Sequence, residues 1–178
     1  MFGKLRANYK LSNVLVRIAV VLTYVLYSWQ RVLATARLMT TMYDFAAGMS
    51  DTYMLVVSIF SAMLIGVAIM FLAPLIANVF LNVCRIYSVP RAEYGLIALV
   101  FLGLFYLVCG VLSLVNLITP IFLIWGERLF PFVAATGCLI GFYAVTKKLY
   151  FNDATAKYYF RNMAIVYFVV AFVFGVLL

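Results

Sequence analysis

The stretch TYMLVVSIFSAMLIGVAIMFLAPLIANVFLNVC, Thr52 to Cys84, runs for 33 positions without a charged residue. A helix needs ~20 apolar residues to cross the hydrocarbon core of a bilayer, so this stretch is long enough to span one with residues left over. The surplus must be taken up by tilting, by running beyond the bilayer or by breaking. Pro74 is the candidate kink, because proline removes a backbone donor and its ring clashes with the carbonyl four residues earlier. Asn78 and Asn82 lie one turn apart beyond it, placed either to meet headgroups or to hydrogen-bond to neighbouring helices.

Reading outward from this stretch gives the rest of the architecture. Downstream, Tyr94 to Gly126 is again uncharged, but Pro120 divides it and Asn116 with Thr119 makes the part before that proline polar. The third span is therefore placed at 97–115. Ile118 to Trp125 reads as a short apolar segment lying on the interface, with a re-entrant piece as the other reading. A fourth span covers 129–146 and ends in a basic amphipathic connection, Lys147 to Lys157; a fifth opens at Phe160 or Arg161 and covers 160–178. Upstream, a first span covers 11–39 and is joined to the second, at 53–83, by a polar connection carrying Asp44 and Asp51. The expected fold is all-α, a polytopic membrane helix bundle of about five transmembrane helices forming a single domain over residues 1–178.

Composition agrees with this pattern. Of 178 residues 69% are apolar and 10% charged, where soluble domains hold about half and a quarter. The net charge of +8 is spread singly over short loops, which suits orientation of membrane helices and gives no nucleic-acid-binding patch. Lys4, Arg6, Lys10, Arg17, Arg85, Arg91, Lys147, Lys148, Lys157 and Arg161 fall on one side of the expected spans; Arg31, Arg37 and Arg128 fall on the other. Ten against three places the amino terminus in the cytoplasm and Leu178 outside, in a cell membrane of the bacterial plasma-membrane type. The basic head before the first span resembles a signal peptide only in outline, since Arg17 interrupts the apolar run and no small-x-small cleavage site follows; it reads as a retained span.

Two sets of residues stand out within the spans. Asn13, Arg17, Tyr24, Ser28, Arg31 and Thr35 recur at helical spacing and form one polar stripe on the first helix. Its two arginines, about 21 Å apart along a helix, must snorkel to the interfaces or face the inside of a bundle. Small residues four apart form the second set: Gly137 with Gly141, Ala62 with Gly66, and Ala171 with Gly175. In lipid, helices associate by close approach over such residues, either within one chain or between chains.

Catalytic and metal chemistry have little to stand on. The chain has no histidine, its three cysteines (Cys84, Cys109 and Cys138) show no CxxC spacing, and its five carboxylates form no ligand cluster. None of the zinc-peptidase, nucleophile-elbow or aspartate-rich magnesium motifs is present. The tyrosines and phenylalanines gather at span ends, as interfacial belts do. No cofactor is expected. The sequence therefore points to a non-enzymatic membrane protein acting as a subunit or scaffold of an assembly, its partners being membrane lipids and other subunits or itself. The other reading is a small channel or carrier for an anionic solute or lipid, lined by the polar stripe of the first helix.

Overall fold

The computed structural model describes the backbone of residues 9–42, 51–118 and 124–177, and side chains over 12–28, 52–114 and 130–169. Among these residues there are five helices and no strand: α1 (Tyr9–Met42), α2 (Asp51–Val83), α3 (Arg91–Ile118), α4 (Ile124–Tyr150) and α5 (Asp153–Leu177). Three helical segments, Thr52–Val83, Arg91–Leu114 and Phe130–Tyr150, are long and apolar enough to cross a membrane. In α1 the uninterrupted apolar piece is shorter, Ser12–Ser28.

Several helices run past the apolar stretches from which they were expected, and local capping explains why. Helix α3 begins at Arg91 rather than Ile97: the Pro90 carbonyl accepts from the Tyr94 N–H at 3.0 Å, and Glu93 sits in the first turn, where the helix dipole favours an anion. The basic connection expected over 147–157 is mostly helix. Lys147 and Lys148 complete the last turn of α4, where cations suit the dipole. Only Phe151 and Asn152 then intervene before α5 starts at Asp153 rather than Phe160. Asn152 is the N-cap, its side-chain Oδ1 accepting from the Thr155 N–H and its carbonyl from the Ala156 N–H, each at 2.8 Å. At its other end α4 begins at Ile124 rather than Leu129 and continues through Pro131. The segment expected on the interface lies mostly outside the described residues, with Ile118 closing α3 and Ile124 opening α4.

Helix α2 ends in a Schellman turn, with Ile86 N–H donating to Leu81 O and Arg85 N–H to Asn82 O, both at 2.9 Å. Arg85 holds the left-handed position, φ 55°, which glycine usually fills. The apolar contact that accompanies such turns is here between Leu81 and Ile86, both buried.

Packing follows the small residues. Helix α1 lies against both α2 and α3. On α2, Gly66 receives Tyr24 and Val21; on α3, Gly103 receives Val20 and Gly110 receives Leu26. Helices α2 and α3 approach closely at Pro74, where a Cβ on Gly95 would lie 2.9 Å from the proline Cβ. The helical run of α2 passes through this proline from Asp51 to Val83. Helix α4 meets α3 where Gly141 faces Phe101. Among the described residues, helix α5 has close backbone approach only to α4; it reaches α2 and α3 through long side chains. The main core, including Leu81, Cys84, Tyr94, Phe142, Tyr159 and Met163, sits where the α2–α3 and α4–α5 turns come together. The outer faces remain apolar, as Phe60, Leu64, Leu75 and Val79 on α2 illustrate; an exposed face of this chemistry suits lipid rather than water.

Candidate functional site: an arginine on α1 and an apolar cleft

The polar stripe of α1 does not face one environment. Arg17 donates from Nε to Asn13 Oδ1 at 2.9 Å, and its guanidinium carbon lies 5.6 Å from the centre of the Phe71 ring on α2. Phe71 is ~18 Å along α2 from Val83, so Arg17 lies well away from the end of the molecule that holds Arg85 and Arg91. No carboxylate pairs with Arg17 among the described residues, and its terminal nitrogens have no hydrogen-bond partner there. Next to it Val14, Leu15, Ile18 and Leu22 are each more than half exposed.

Further along the stripe, Tyr24 turns into the packing between helices. Its ring meets Tyr106 of α3 edge-on, centroids 5.1 Å apart, and Tyr27 completes the cluster. Ser28 is buried, and its hydroxyl has no partner among the described residues. The side chains of Arg31 and Thr35 lie outside the described residues. Of the small-residue pairs, Ala62 and Gly66 are both buried, and Gly66 is used against α1. Gly141 packs on Phe101, whereas a Cβ on Gly137 would meet nothing within 4 Å. The side chains of Ala171 and Gly175 are not described.

Sequence reasoning missed a second feature, a cleft of ≈ 520 Å³ between α2, α3, α4 and α5. Four alanines make the room for it: Ala73 and Ala77 from α2, Ala98 from α3 and Ala135 from α4. Aromatic rings, among them Phe80, Phe101, Phe105 and Phe142, line much of the rest. Tyr94 and Tyr159 stand at one end with their hydroxyls hydrogen-bonded to each other. Thr136 and Tyr167 form another hydroxyl pair at 2.8 Å.

Around the Tyr94 end, Arg85, Arg91, Lys147 and Lys148 at the two turns are exposed, as are Lys157 and Arg161 further along α5. Lys147 pairs with Asp153 at 3.1 Å, Arg91 donates to Asn82 at 2.9 Å, and Arg161 stacks on Tyr158 at 5.5 Å. Glu93 accepts from the Tyr150 hydroxyl at 2.8 Å. Arg85, Lys148 and Lys157 have no carboxylate partner among the described residues. At this end, burial pushes the Cys84 thiol up from its ordinary pKa, while a weak hydrogen bond from Asn162 at 3.8 Å acts the other way. That keeps the thiol protonated and unreactive.

Comparison of the chain with protein-family models, with curated proteins and with solved structures gave no match in any of the three. Function must therefore be argued from the chemistry of these two features.

Proposed function

We propose that this chain is a non-enzymatic, multi-pass subunit or accessory protein of a membrane assembly. On this reading it crosses a cell membrane of bacterial type as a five-helix bundle, amino terminus inside and carboxyl terminus outside, and docks to its partner along the outer edge of α1. The observation that carries the reading is Arg17. It lies ~18 Å from the basic end as measured along α2, and a charge near the middle of a span costs ~2.5–3.5 kcal/mol on insertion scales. Asn13 and the Phe71 ring meet only part of its hydrogen-bonding and electrostatic demand. A carboxylate on a partner's transmembrane helix would supply the fork-to-fork pairing that a guanidinium favours. The exposed apolar side chains beside it, Val14, Ile18 and Leu22, supply the surface for that helix.

The carrier reading gains less support. Of the residues that would line its path, Tyr24 is packed against Gly66 of α2 and Tyr106 of α3, and Ser28 is buried.

The test is the native mass of the protein purified from its source membranes in mild detergent. Wild type should run as a complex heavier than one 20.1 kDa chain, and Arg17→Leu, which removes the insertion cost and should span at least as well, should run as a single chain. An Arg17→Leu protein that keeps the wild-type mass sinks the proposal. A cytoplasm-active reporter fused after Leu178 should be silent and an externally active one should work; the reverse overturns the topology.

A further inference from the structure

We propose that the cleft between α2, α3, α4 and α5 holds one acyl chain of an anionic phospholipid, taken from the leaflet at the basic end of the molecule. The proposal rests on the membrane-spanning reading above but not on the docking role of Arg17.

The volume of ≈ 520 Å³ falls within the ~300–1,000 Å³ typical of ligand pockets. Its walls are almost wholly hydrocarbon, so water entering it would find few partners, and leaving it empty would forfeit dispersion contacts along every wall. In a bilayer the material at hand is a lipid chain. The dimensions agree. Tyr94 lies three residues, ~4.5 Å, inside Arg91, and the lining continues on α3 to Phe105, a further ~16 Å. Half of a hydrocarbon core of ~30 Å is about the same depth. The cleft is therefore about one leaflet deep and begins where that leaflet begins.

Charge selects the lipid. The hydroxyls of Tyr94 and Tyr159, at the end of the cleft nearest the rim, satisfy one another, so the entrance asks nothing polar of the chain that passes it, and the headgroup stays outside at the rim. There the carboxylates are already engaged: Asp153 by Lys147 and Glu93 by Tyr150. Arg85, Lys148 and Lys157 are left facing the headgroup zone without a carboxylate among the described residues. Phosphate meets this need, and an additional negative charge meets it better.

The experiment uses the full chain in mild detergent, with native mass spectrometry against phosphatidylglycerol and phosphatidylcholine of identical chains. Wild type should retain one phospholipid and prefer phosphatidylglycerol by roughly tenfold. Ala98→Leu with Ala135→Leu, which fills the cleft with side chain, should lower retention of both lipids by at least roughly tenfold. Arg85→Gln with Lys148→Gln and Lys157→Gln should abolish the preference and leave phosphatidylcholine binding in place. A filled-cleft protein that holds lipid as wild type does overturns the proposal, as does wild type showing no headgroup preference.

Should the filled-cleft protein fail to fold, wild type alone still decides. Phosphatidylglycerol carrying a photoreactive diazirine in its chain should label Phe105 and Met163 above Leu64 and Val79 on the outer face. Even labelling overturns the proposal, and so does a second protein chain in the native mass with no lipid. Release of the chain by alkaline carbonate would instead overturn the membrane reading beneath it.

Discussion

Gly95→Ala should open the α2–α3 contact, and the size of the effect can be bounded against a control in the same protein. A Cβ at position 95 would stand 2.9 Å from Pro74 Cβ and 3.6 Å from Pro74 Cα. The proline ring is fixed to the α2 backbone and has no rotamer by which to withdraw, so relief requires the two helices to move apart. Overpacking of this kind costs typically ~1–3 kcal/mol. Against it stands the gain of alanine over glycine inside a helix, about 1 kcal/mol. Gly137→Ala has the same propensity gain with nothing within 4 Å of the new methyl. Subtracting the two cancels that gain and leaves the packing cost, so Gly95→Ala should be ~1–3 kcal/mol less stable than Gly137→Ala. Gly141→Ala should fall between them. Its new Cβ would approach Phe101 Cε1 at 2.7 Å, but that ring borders the cleft and can swing into it. Unfolding by SDS in mixed micelles, followed by far-ultraviolet circular dichroism, gives the three midpoints. If Gly95→Ala is as stable as Gly137→Ala, the close approach at Pro74 is not a packing constraint and the account of the α2–α3 contact fails.

Three further outcomes are expected. Tyr159→Phe should cost ~1–3 kcal/mol by leaving the buried Tyr94 hydroxyl without its partner, while Tyr94→Phe combined with Tyr159→Phe should recover most of that; strict additivity of the two changes in the SDS assay would count against the pair. Arg85→Gly should stabilise the fold by about 1 kcal/mol, seen as a higher SDS midpoint, because glycine occupies the left-handed position without the side-chain clash. An unchanged midpoint would mean that the φ of 55° carries no strain. Cys84, buried and with its thiol pKa raised, should resist a water-soluble maleimide at pH 7 in the folded protein and react once SDS has unfolded it. Labelling at equal rates in both states would contradict the burial.

The apolar segments were legible because hydrophobic run length is a local property: nothing beyond residues 52–84 is needed to see that Thr52 to Cys84 is long enough for lipid. The helix ends were less so. A polar sequence such as Asp153 to Lys157 looks like a loop until Asn152 is recognised as its cap, and Lys147 with Lys148 looks like a break until the α4 dipole is counted. The glycine and alanine spacings marked close approach without saying to what, and Gly66 and Gly137 show how differently two such sites can end. Arg17 was conspicuous in sequence, but its depth depends on how α1 is set against α2, a register fixed by contacts such as Arg17 on Phe71 and Tyr24 on Gly66. The cleft left no signature in the sequence. Ala73, Ala98 and Ala135 lie on three different helices, each unremarkable in its own apolar surroundings, and they define a space only once those helices face one another.

The manner in which α5 is attached bears on how the cleft could change over evolutionary time. Where helices touch through glycine and alanine, their separation is fixed by backbone thickness, and almost any substitution is a clash. Helix α5 instead stands off from α2 and α3 across Tyr159, which meets the Phe80 ring at 5.3 Å and the Tyr94 hydroxyl at its tip. Its distance from them is therefore gauged by ring size. Exchanging one aromatic for a smaller or larger side chain would reset the bore of the cleft by a fraction of a ring width, while the packing of α1, α2 and α3 was left as it is. A gap gauged in this way can be retuned one residue at a time.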